Sequence, residues 1–264
     1  MTITTPPFGS RSTVVSPLSN PSAGGECLLN ENNALITRQG IGTLGEKSLH
    51  AALKHWFEPD EQAHEVPVGG FVADIVGERG IIEIQTAGFE KLRRKLAVFL
   101  EAAPVTVVYP VAHMKWLIWI DPNTGDVTKK RKSPKVGRYA EALPEFYKIK
   151  PLLSHPNLRL CVLLVDMEEY RLLTGWSKDK KKGSARYERI PLAVAERLDI
   201  SCAEDWLGFI PETVPCPFTS KDYAKAAGLN LSRAQTALNV LHAMGVVGRV
   251  GKQGNSYLYE ETRL

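Results

Sequence analysis

Residues 71–86 read FVADIVGERGIIEIQT, and this stretch decides the fold that we expect for the chain. Two short apolar segments, residues 72–76 and 81–85, flank the glycine-bounded residues 77–80. Apolar segments of this length around a glycine turn are typical of two antiparallel strands. The stretch therefore predicts a β-hairpin.

Two carboxylates face each other across this hairpin. With residues 77–80 as the loop, Asp74 lies opposite Glu83, and Gln85 shares their face because side chains alternate along a strand. The other face carries the apolar side chains of Ala73, Ile75, Ile82 and Ile84. Opposed carboxylates destabilise a strand pair, and a divalent cation between them removes that cost. Since Mg²⁺ needs only one or two carboxylates beside its waters, Asp74 and Glu83 are the predicted ligands of Mg²⁺ or Mn²⁺. The alternative is a polar face turned to solvent.

Helical patterns precede and follow the hairpin. Residues 44–57 repeat apolar side chains at three- and four-residue spacing, and Glu46 lies on that same stripe, as a partner of the helix dipole or as a fourth member of the site. Residues 89–100 form a second amphipathic pattern with cations between its apolar positions. Apolar runs at residues 105–111, 116–120 and 158–165 predict further strands, whereas residues 191–210 have a helical pattern. The order predicts an α/β fold with a mixed sheet.

This arrangement resembles the PD-(D/E)xK phosphodiesterase superfamily, which includes restriction-type nucleases and Holliday junction resolvases. The match consists of Glu46 on the first helix, Asp74 near the hairpin turn and the motif Glu83-Ile84-Gln85, followed by a helix and an apolar strand. The resemblance implies a restriction endonuclease-like core, a mixed sheet flanked by helices. It also implies Mg²⁺-dependent cleavage of nucleic acid, with Asp74 and Glu83 as metal ligands.

The chain departs from that pattern at Gln85, where the usual residue is lysine. Gln85 can orient water or phosphate but supplies no positive charge, so we expect a cation of the following helix to supply it. Lys91, Arg94 and Lys95 are the candidates. The predicted catalytic set is Glu46, Asp74, Glu83, Gln85 and Lys91.

Residues 218–259 resemble a winged helix-turn-helix. The resemblance implies a recognition helix at residues 233–244 and a wing with its tip at residues 251–255. Polar side chains of types that read bases or bind phosphates lie on the helix and the wing. They are Arg233, Gln235, Thr236, Asn239, Arg249 and Lys252. The alternative is a module for protein–protein contact or dimerisation.

Two basic segments, residues 128–138 and 178–182, could neutralise phosphates and make binding steeply salt-dependent. The alternative is solvated surface. The predicted nucleic-acid contacts in the first segment are Lys130, Arg131, Lys132 and Lys135.

Composition narrows the class of protein. The chain has 264 residues, 44% of them hydrophobic and 23% charged, with a net charge of +4, which is enough apolar content for a sizeable core. Its four cysteines are widely spaced, which indicates a reducing compartment and no structural zinc. We find no secretory signal and no apolar run of about 18 residues, so we expect a cytoplasmic protein that does not enter a membrane.

The sequence thus predicts a disordered tail (residues 1–37), a nuclease-like domain (38–176), a basic linker (177–190) and a winged-helix domain (191–264). The expected activity is that of a Mg²⁺-dependent endonuclease acting on DNA, and pairing of two sites in a homodimer is an open option. Two alternatives remain. One is a non-catalytic DNA-binding regulator on a degenerate nuclease fold, and the other is an RNA-processing nuclease.

Overall fold

The computed structural model describes residues 48–176 and 182–262. In chain order its α-helices are α1 (Ser48–Phe57), α2 (Phe89–Ala102), α3 (Leu143–Phe146), α4 (Ser220–Ala227) and α5 (Leu231–Ala243). The strands are β1 (His64–Val68), β2 (Phe71–Gly77), β3 (Gly80–Ile84), β4 (Val105–Ile120), β5 (Arg131–Lys132), β6 (Leu158–Trp176), β7 (Lys182–Ile200), β8 (Val247–Gln253) and β9 (Ser256–Glu261). Short 3₁₀ segments cover Glu61–Ala63, Tyr139–Ala142, Tyr147–Leu152 and Glu204–Phe209. The predicted tail and Glu46 lie outside the described residues.

A mixed seven-stranded sheet forms the centre of the described structure. Its strand order is β1-β2-β3-β4-β6-β7, and β5 pairs with β4 off this path. The pairs β3–β4 and β4–β6 are parallel, whereas the remaining neighbours are antiparallel. The predicted α/β class with a mixed sheet and flanking helices is confirmed.

The helices cover the sheet on both faces. Leu49 and Leu53 of α1 pack on one face in an apolar cluster with Ile75 and Ile84. On the other face, α2 and α3 pack with the C-terminal residues in a second and larger cluster. Because both faces are covered, the first parts of the inner strands, residues 105–111 of β4 and 158–165 of β6, are nearly continuous apolar runs.

The predicted hairpin is confirmed as β2 and β3. Val76 pairs with Ile81 and Ile75 with Ile82, in the predicted register, but the paired residues end there and do not include the predicted pair of Asp74 with Glu83. Gly80 has a φ of +103°, and a Cβ there would lie 2.2 Å from the carbonyl oxygen of Pro104. Glycine is therefore required at this end of the turn, both for its backbone conformation and for the close approach of the chain.

The predicted helix over residues 191–210 is wrong. β7 runs without a break to Ile200, antiparallel to β6, and only Glu204–Phe209 forms a short 3₁₀ segment. Apolar residues recur at every second position from Ile190 to Val194 and again at Leu198 and Ile200. A period of two is typical of a strand, although the apolar residues of this stretch also fit the spacing of a helix. Pairing with the long strand β6 decides between the two structures. The predicted basic linker covers residues 177–190, of which the structure describes residues 182–190. These residues belong to β7, so the linker prediction is wrong there.

The C-terminal helices α4 and α5 and the hairpin β8–β9 do not form a separate core. Phe218, Tyr223 and Leu238 belong to the same apolar cluster as Phe89 and Phe146 of the sheet region. The hydroxyl of Tyr223 also donates to the carbonyl oxygen of Phe209 at 3.0 Å. The predicted boundary at residue 191 falls inside a strand of the sheet, and the C-terminal helices start only at Ser220.

The edge of β4 that pairs with β3 is covered only in part. β3 pairs with residues 105–108, and the chain returns to this edge where the N–H groups of Ser133 and Gly137 donate to Lys115 and His113. A Cβ at Gly137 would lie 2.0 Å from the carbonyl oxygen of Ala112, so glycine permits this approach. Between the two covered stretches, residues 109–112 line a cavity.

Candidate active site

Asp74 lies where the two strands of the hairpin separate. The paired residues run from the turn to Ile75 and Ile82. Beyond them, Asp74 Oδ2 accepts a hydrogen bond from the backbone N–H of Ile84 at 2.7 Å. The same oxygen lies 3.1 Å from Nε2 of His50 on α1. The N–H of Ile84 thus donates to the side chain of Asp74 and not to a backbone carbonyl of β2. This bond and the contact with His50 fix the Asp74 carboxylate between the sheet and α1.

Glu83 is the most deeply buried residue of the candidate site, with 3% of its surface exposed. Its Oε1 lies 2.5 Å from Nζ of Lys95, which reaches it from α2. Its Oε2 is buried and has no hydrogen-bond partner among the described residues. A buried carboxylate oxygen without a donor is costly, so this atom is suited to bind a cation.

The two carboxyl groups respond to this environment in opposite directions. Burial and the neighbouring charge of Asp74 raise the pKa of Glu83 from 4.5 to about 7, although Lys95 favours its ionised form. Burial also acts to raise the pKa of Asp74, but the contacts with His50, the N–H of Ile84 and the charge of Lys95 outweigh it, and the pKa falls below 3.8. Asp74 therefore ionises at lower pH than Glu83, which favours its protonated form more than a free glutamate does.

The other predicted catalytic residues lie less centrally. Gln85 is half-buried, and its amide nitrogen donates to the carbonyl oxygen of Ala87. Lys91 is exposed, one helical turn before Lys95 on α2. Sequence spacing does not decide which cation of this helix lies at the acid pair. In the structure it is Lys95, which contacts Glu83. His50, which is not among the residues predicted for the site, contacts Asp74.

A cation at this position would have two carboxylates as ligands. The described residues contain no group of three or more His, Cys, Asp or Glu side chains arranged to hold a metal ion. Mg²⁺ commonly takes only one or two protein carboxylates and keeps several waters. Asp74 and the unpaired oxygen of Glu83 fit that modest requirement, and an added positive charge would offset the repulsion that raises the pKa of Glu83.

Of the residues of α5 predicted to contact nucleic acid, some bind residues of the sheet region and others face solvent. Arg233 donates to the carbonyl oxygen of Glu141 at 3.0 Å, and Asn239 accepts from Lys150 at 3.0 Å. The hydroxyl of Thr236 donates to Ser232 one turn earlier at 3.0 Å, and Gln235 is exposed. Arg233 and Asn239 are thus engaged inside the molecule, in contrast to the predicted base contacts.

The basic segment and the terminal hairpin keep their cations near the surface. Lys130 pairs with Glu168 at 2.6 Å and lies over the ring of Trp116, which Lys132 also approaches. Arg131 is exposed and pairs with β4 through its backbone. Lys135 pairs with Glu141 at 2.8 Å. On the terminal hairpin, Arg249 and Lys252 lie over the ring of Tyr257, at 4.2 and 5.2 Å from its centre.

The fold and the site define a class: an α/β protein with an acid pair at the split of a β-hairpin, in which Glu83 is buried and a lysine lies beside it. A family model described as Domain of unknown function (DUF8091) matches residues 47–201, more than half of the chain, and the chain belongs to that family. The matched segment contains the acid pair, Lys95 and the whole seven-stranded sheet.

Comparison with other proteins adds one relative. An uncharacterized protein from Treponema pallidum (strain Nichols) is 28% identical over 232 residues, which cover 84% of this chain and 87% of that protein. No solved structure matched the chain. In the part of the chain that the structure describes, no helix has the length and apolar character needed to cross a membrane.

Proposed function

We propose that this chain is a metal-dependent nuclease of the PD-(D/E)xK type that hydrolyses phosphodiester bonds in DNA. The observation that carries the proposal is the contact of Glu83 with Lys95 beside Asp74, at the point where the hairpin strands separate. The element order α1-β1-β2-β3-α2-β4 supports it, because it matches the order that the resemblance implies. Lys95 supplies, from the helix, the positive charge that Gln85 lacks.

The side chains around the acid pair have separable roles in this proposal. Asp74 and Glu83 would hold Mg²⁺ or Mn²⁺, and the bound cation would polarise a water molecule and neutralise charge on the phosphodiester. His50 and the N–H of Ile84 hold the Asp74 carboxylate in one orientation. Lys95 presents a positive charge where negative charge develops on the phosphate oxygens. Gln85 is near enough along β3 to orient water or phosphate.

The C-terminal module is proposed to be a winged helix docked against the nuclease core. The helix–turn–helix of α4 and α5 followed by the hairpin β8–β9 supports this assignment. Asn239 accepts from Lys150 and suits a contact within the protein. Outside the boundary with the core, we assign DNA contact to the hairpin cations Arg249 and Lys252 and to the exposed Gln235.

Cleavage assays with supercoiled plasmid and with single-stranded DNA or RNA test the catalytic proposal. The wild type is expected to cleave DNA with Mg²⁺ or Mn²⁺ and to be inactive in EDTA. Asp74→Asn and Glu83→Gln should abolish cleavage. Glu101→Gln removes an exposed carboxylate from the end of α2 and should leave cleavage unchanged. Equal cleavage by all variants, or none by the wild type on any substrate, contradicts the proposal, and preference for RNA would support the RNA-processing alternative.

A non-catalytic DNA-binding protein is the second candidate. It is favoured by Gln85 in the lysine position and by the lack of a metal cluster of three or more ligands among the described residues. DNA binding that is equal in EDTA and in Mg²⁺, without a change in melting temperature on adding metal, would support this candidate over the nuclease.

A further inference from the structure

A cavity of about 350 Å³ lies at the carboxyl end of β3, beside the uncovered edge of β4. The turn of residues 86–88 forms one wall, residues 109–112 of β4 form another, and Arg233 of α5 reaches it from the C-terminal module. Ligands of open α/β sheets bind at the carboxyl ends of strands. The cavity therefore has the position of a ligand site.

The walls of the cavity are unusually cationic. Six basic side chains line it: Lys115, Lys135, Lys148, Arg186, Arg189 and Arg233. The carboxylates paired with them are Glu90, Glu141, Glu145 and Glu169. Six cations against four carboxylates leave an excess of positive charge that attracts an anion.

Glu169 holds part of this cationic wall in place. It is 1% exposed and lies 3.5 Å from Lys115, 2.8 Å from Arg171 and 3.2 Å from Arg189. Arg186 is further away, at 3.8 Å, and its side chain is 53% exposed. One buried carboxylate thus gathers four cations and neutralises the charge of only one.

One donor atom at the cavity lacks an acceptor. Nε of Arg233 is buried without a hydrogen-bond partner in the described structure, although its guanidinium also donates to Glu141. Burial and the charges of Arg189 and Arg186 lower the pKa of Lys115, despite the opposing charge of Glu169. Burial and the charges of Arg189 and Arg171 lower the pKa of Arg186 in the same way. A bound anion would relieve this repulsion and satisfy the free donor.

The cavity is close to the acid pair along the chain. Thr86 lines it and follows Glu83 by three residues, so the Cα atoms of the two residues are at most about 10 Å apart. An anion in the cavity would therefore lie near a phosphodiester held at the acid pair.

We propose that this cavity is a phosphate-binding pocket, which holds a phosphate of the nucleic-acid strand whose neighbouring phosphodiester lies at Asp74 and Glu83. Arg233 then brings the C-terminal module into the substrate site itself. The identity of the strand rests on the proposed nuclease function, whereas the phosphate chemistry rests on the cavity alone.

Binding in EDTA tests the pocket without any cleavage. Fluorescence anisotropy measures the full chain against a labelled single-stranded DNA with a 5′-phosphate, and unlabelled pyrophosphate serves as competitor. Arg186→Met and Arg233→Met each remove one cavity cation. Arg79→Met removes an equal charge from the exposed tip of the hairpin, at the other end of β3. Melting temperatures verify that each variant is folded, and Arg186, which is half exposed, provides a second test if Arg233→Met unfolds.

Each cavity variant is expected to bind the DNA about tenfold or more weakly than Arg79→Met. It should also reduce the salt slope of single-strand binding by about 0.7 per lost phosphate contact. Pyrophosphate should displace DNA from the wild type. Cavity variants that bind as tightly as Arg79→Met overturn the proposal. Pyrophosphate binding without strand binding also overturns it, and would assign the cavity to a free polyphosphate.

The two proposals fail separately. Metal-dependent cleavage that is unchanged in Arg186→Met and Arg233→Met overturns the pocket and leaves the nuclease. Strand binding that depends on both arginines, without cleavage in any metal, leaves the pocket and overturns the nuclease.

Discussion

At the scale of single residues, Asp74 and Glu83 show how one buried cluster produces opposite proton affinities. Asp74 has donors from His50 and Ile84, so its ionised form is stabilised. Glu83 is more deeply buried and lies beside the charge of Asp74, and one of its oxygens has no hydrogen-bond partner among the described residues. Burial and the charge of Asp74 outweigh the contact with Lys95, so Glu83 keeps its proton to higher pH than Asp74 does.

Glu83→Gln should change the pH dependence of stability in the metal-free protein. The pKa of Glu83 rises on folding from 4.5 to about 7, so the stability of the wild type is lost as pH rises through that interval. Asp74 titrates below this window because its pKa is lowered. Glutamine mimics the protonated acid, so the variant should gain stability relative to the wild type between pH 5 and pH 8, by up to a few kcal/mol.

Urea denaturation in EDTA at the two pH values measures this difference. Glu101→Gln, at an exposed position of α2, should show no pH-dependent gain. A difference between Glu83→Gln and the wild type that is the same at pH 5 and pH 8 would contradict the assigned environment of Glu83.

Lys95→Met and Lys91→Met should distinguish the catalytic roles of two lysines on α2. Methionine keeps the apolar stem but removes the charge at Glu83, so metal-dependent cleavage should fall by about 100-fold or more. Lys91→Met, one turn earlier, should retain the wild-type rate because Lys91 is exposed. Initial cleavage rates at saturating metal measure the effect of each substitution. A larger loss of rate in Lys91→Met than in Lys95→Met would favour Lys91, the residue predicted from the sequence.

Sequence spacing could locate the acids but could not choose the lysine. Asp74 and Glu83 follow from the register of a short hairpin, which its turn fixes locally. Lys91, Arg94 and Lys95 share one helix, and the choice among them depends on how that helix packs on the sheet. The packing is a tertiary property, so only the structure connects Lys95 with Glu83.

At the scale of elements, the hairpin β2–β3 carries the site, and its turn is set by close packing. Gly80 lies against the backbone at the start of β4, which joins the tip of the hairpin to the parallel strand beside it. The carboxyl end of β3 lies at the cavity. One element thus connects the turn, the acid pair and the cationic pocket.

Gly80→Ala should destabilise the protein by about 3 kcal/mol or more, since the added Cβ meets a backbone carbonyl and the backbone conformation is left-handed. Gly254→Ala is the matched control in the hairpin β8–β9. Its φ is +58° with open space around the Cβ, so the cost should be about 1 kcal/mol. Chemical denaturation compares the two, and equal costs would argue against the close approach at Gly80.

The error at residues 191–200 has a physical explanation at this scale. Alternation is clear in the hairpin, but Pro191, Ala193 and Ala195 blur it in β7 by placing small or apolar residues on both faces. The partner strand β6 is 19 residues long and supplies the backbone hydrogen bonds that keep this stretch extended. Long-range pairing therefore overrides the local pattern.

At the scale of the whole molecule, the C-terminal module is part of the sheet domain and not an appendage. Apolar side chains of α4 and α5 join the core formed by α2, α3 and the sheet. Arg233 and Asn239 add polar contacts across the same boundary. Residues 211–217 contain three prolines, a composition typical of a linker, but it carries no information about what packs on either side.

The shared core predicts a single cooperative unfolding transition. Differential scanning calorimetry of the full chain should give one peak, with the calorimetric and van't Hoff enthalpies agreeing. Two separate transitions, one for the sheet and one for the terminal module, would show that the modules are independent.

The central claim is that Asp74 and Glu83 form a metal centre. Anomalous diffraction at the manganese edge from crystals grown with Mn²⁺ tests it most directly, with Asp74→Asn crystals as the control. We expect an anomalous peak between the two carboxylates of the wild type that is lost in the variant. A wild-type map with no peak between them, at Mn²⁺ concentrations that support cleavage in solution, would contradict it.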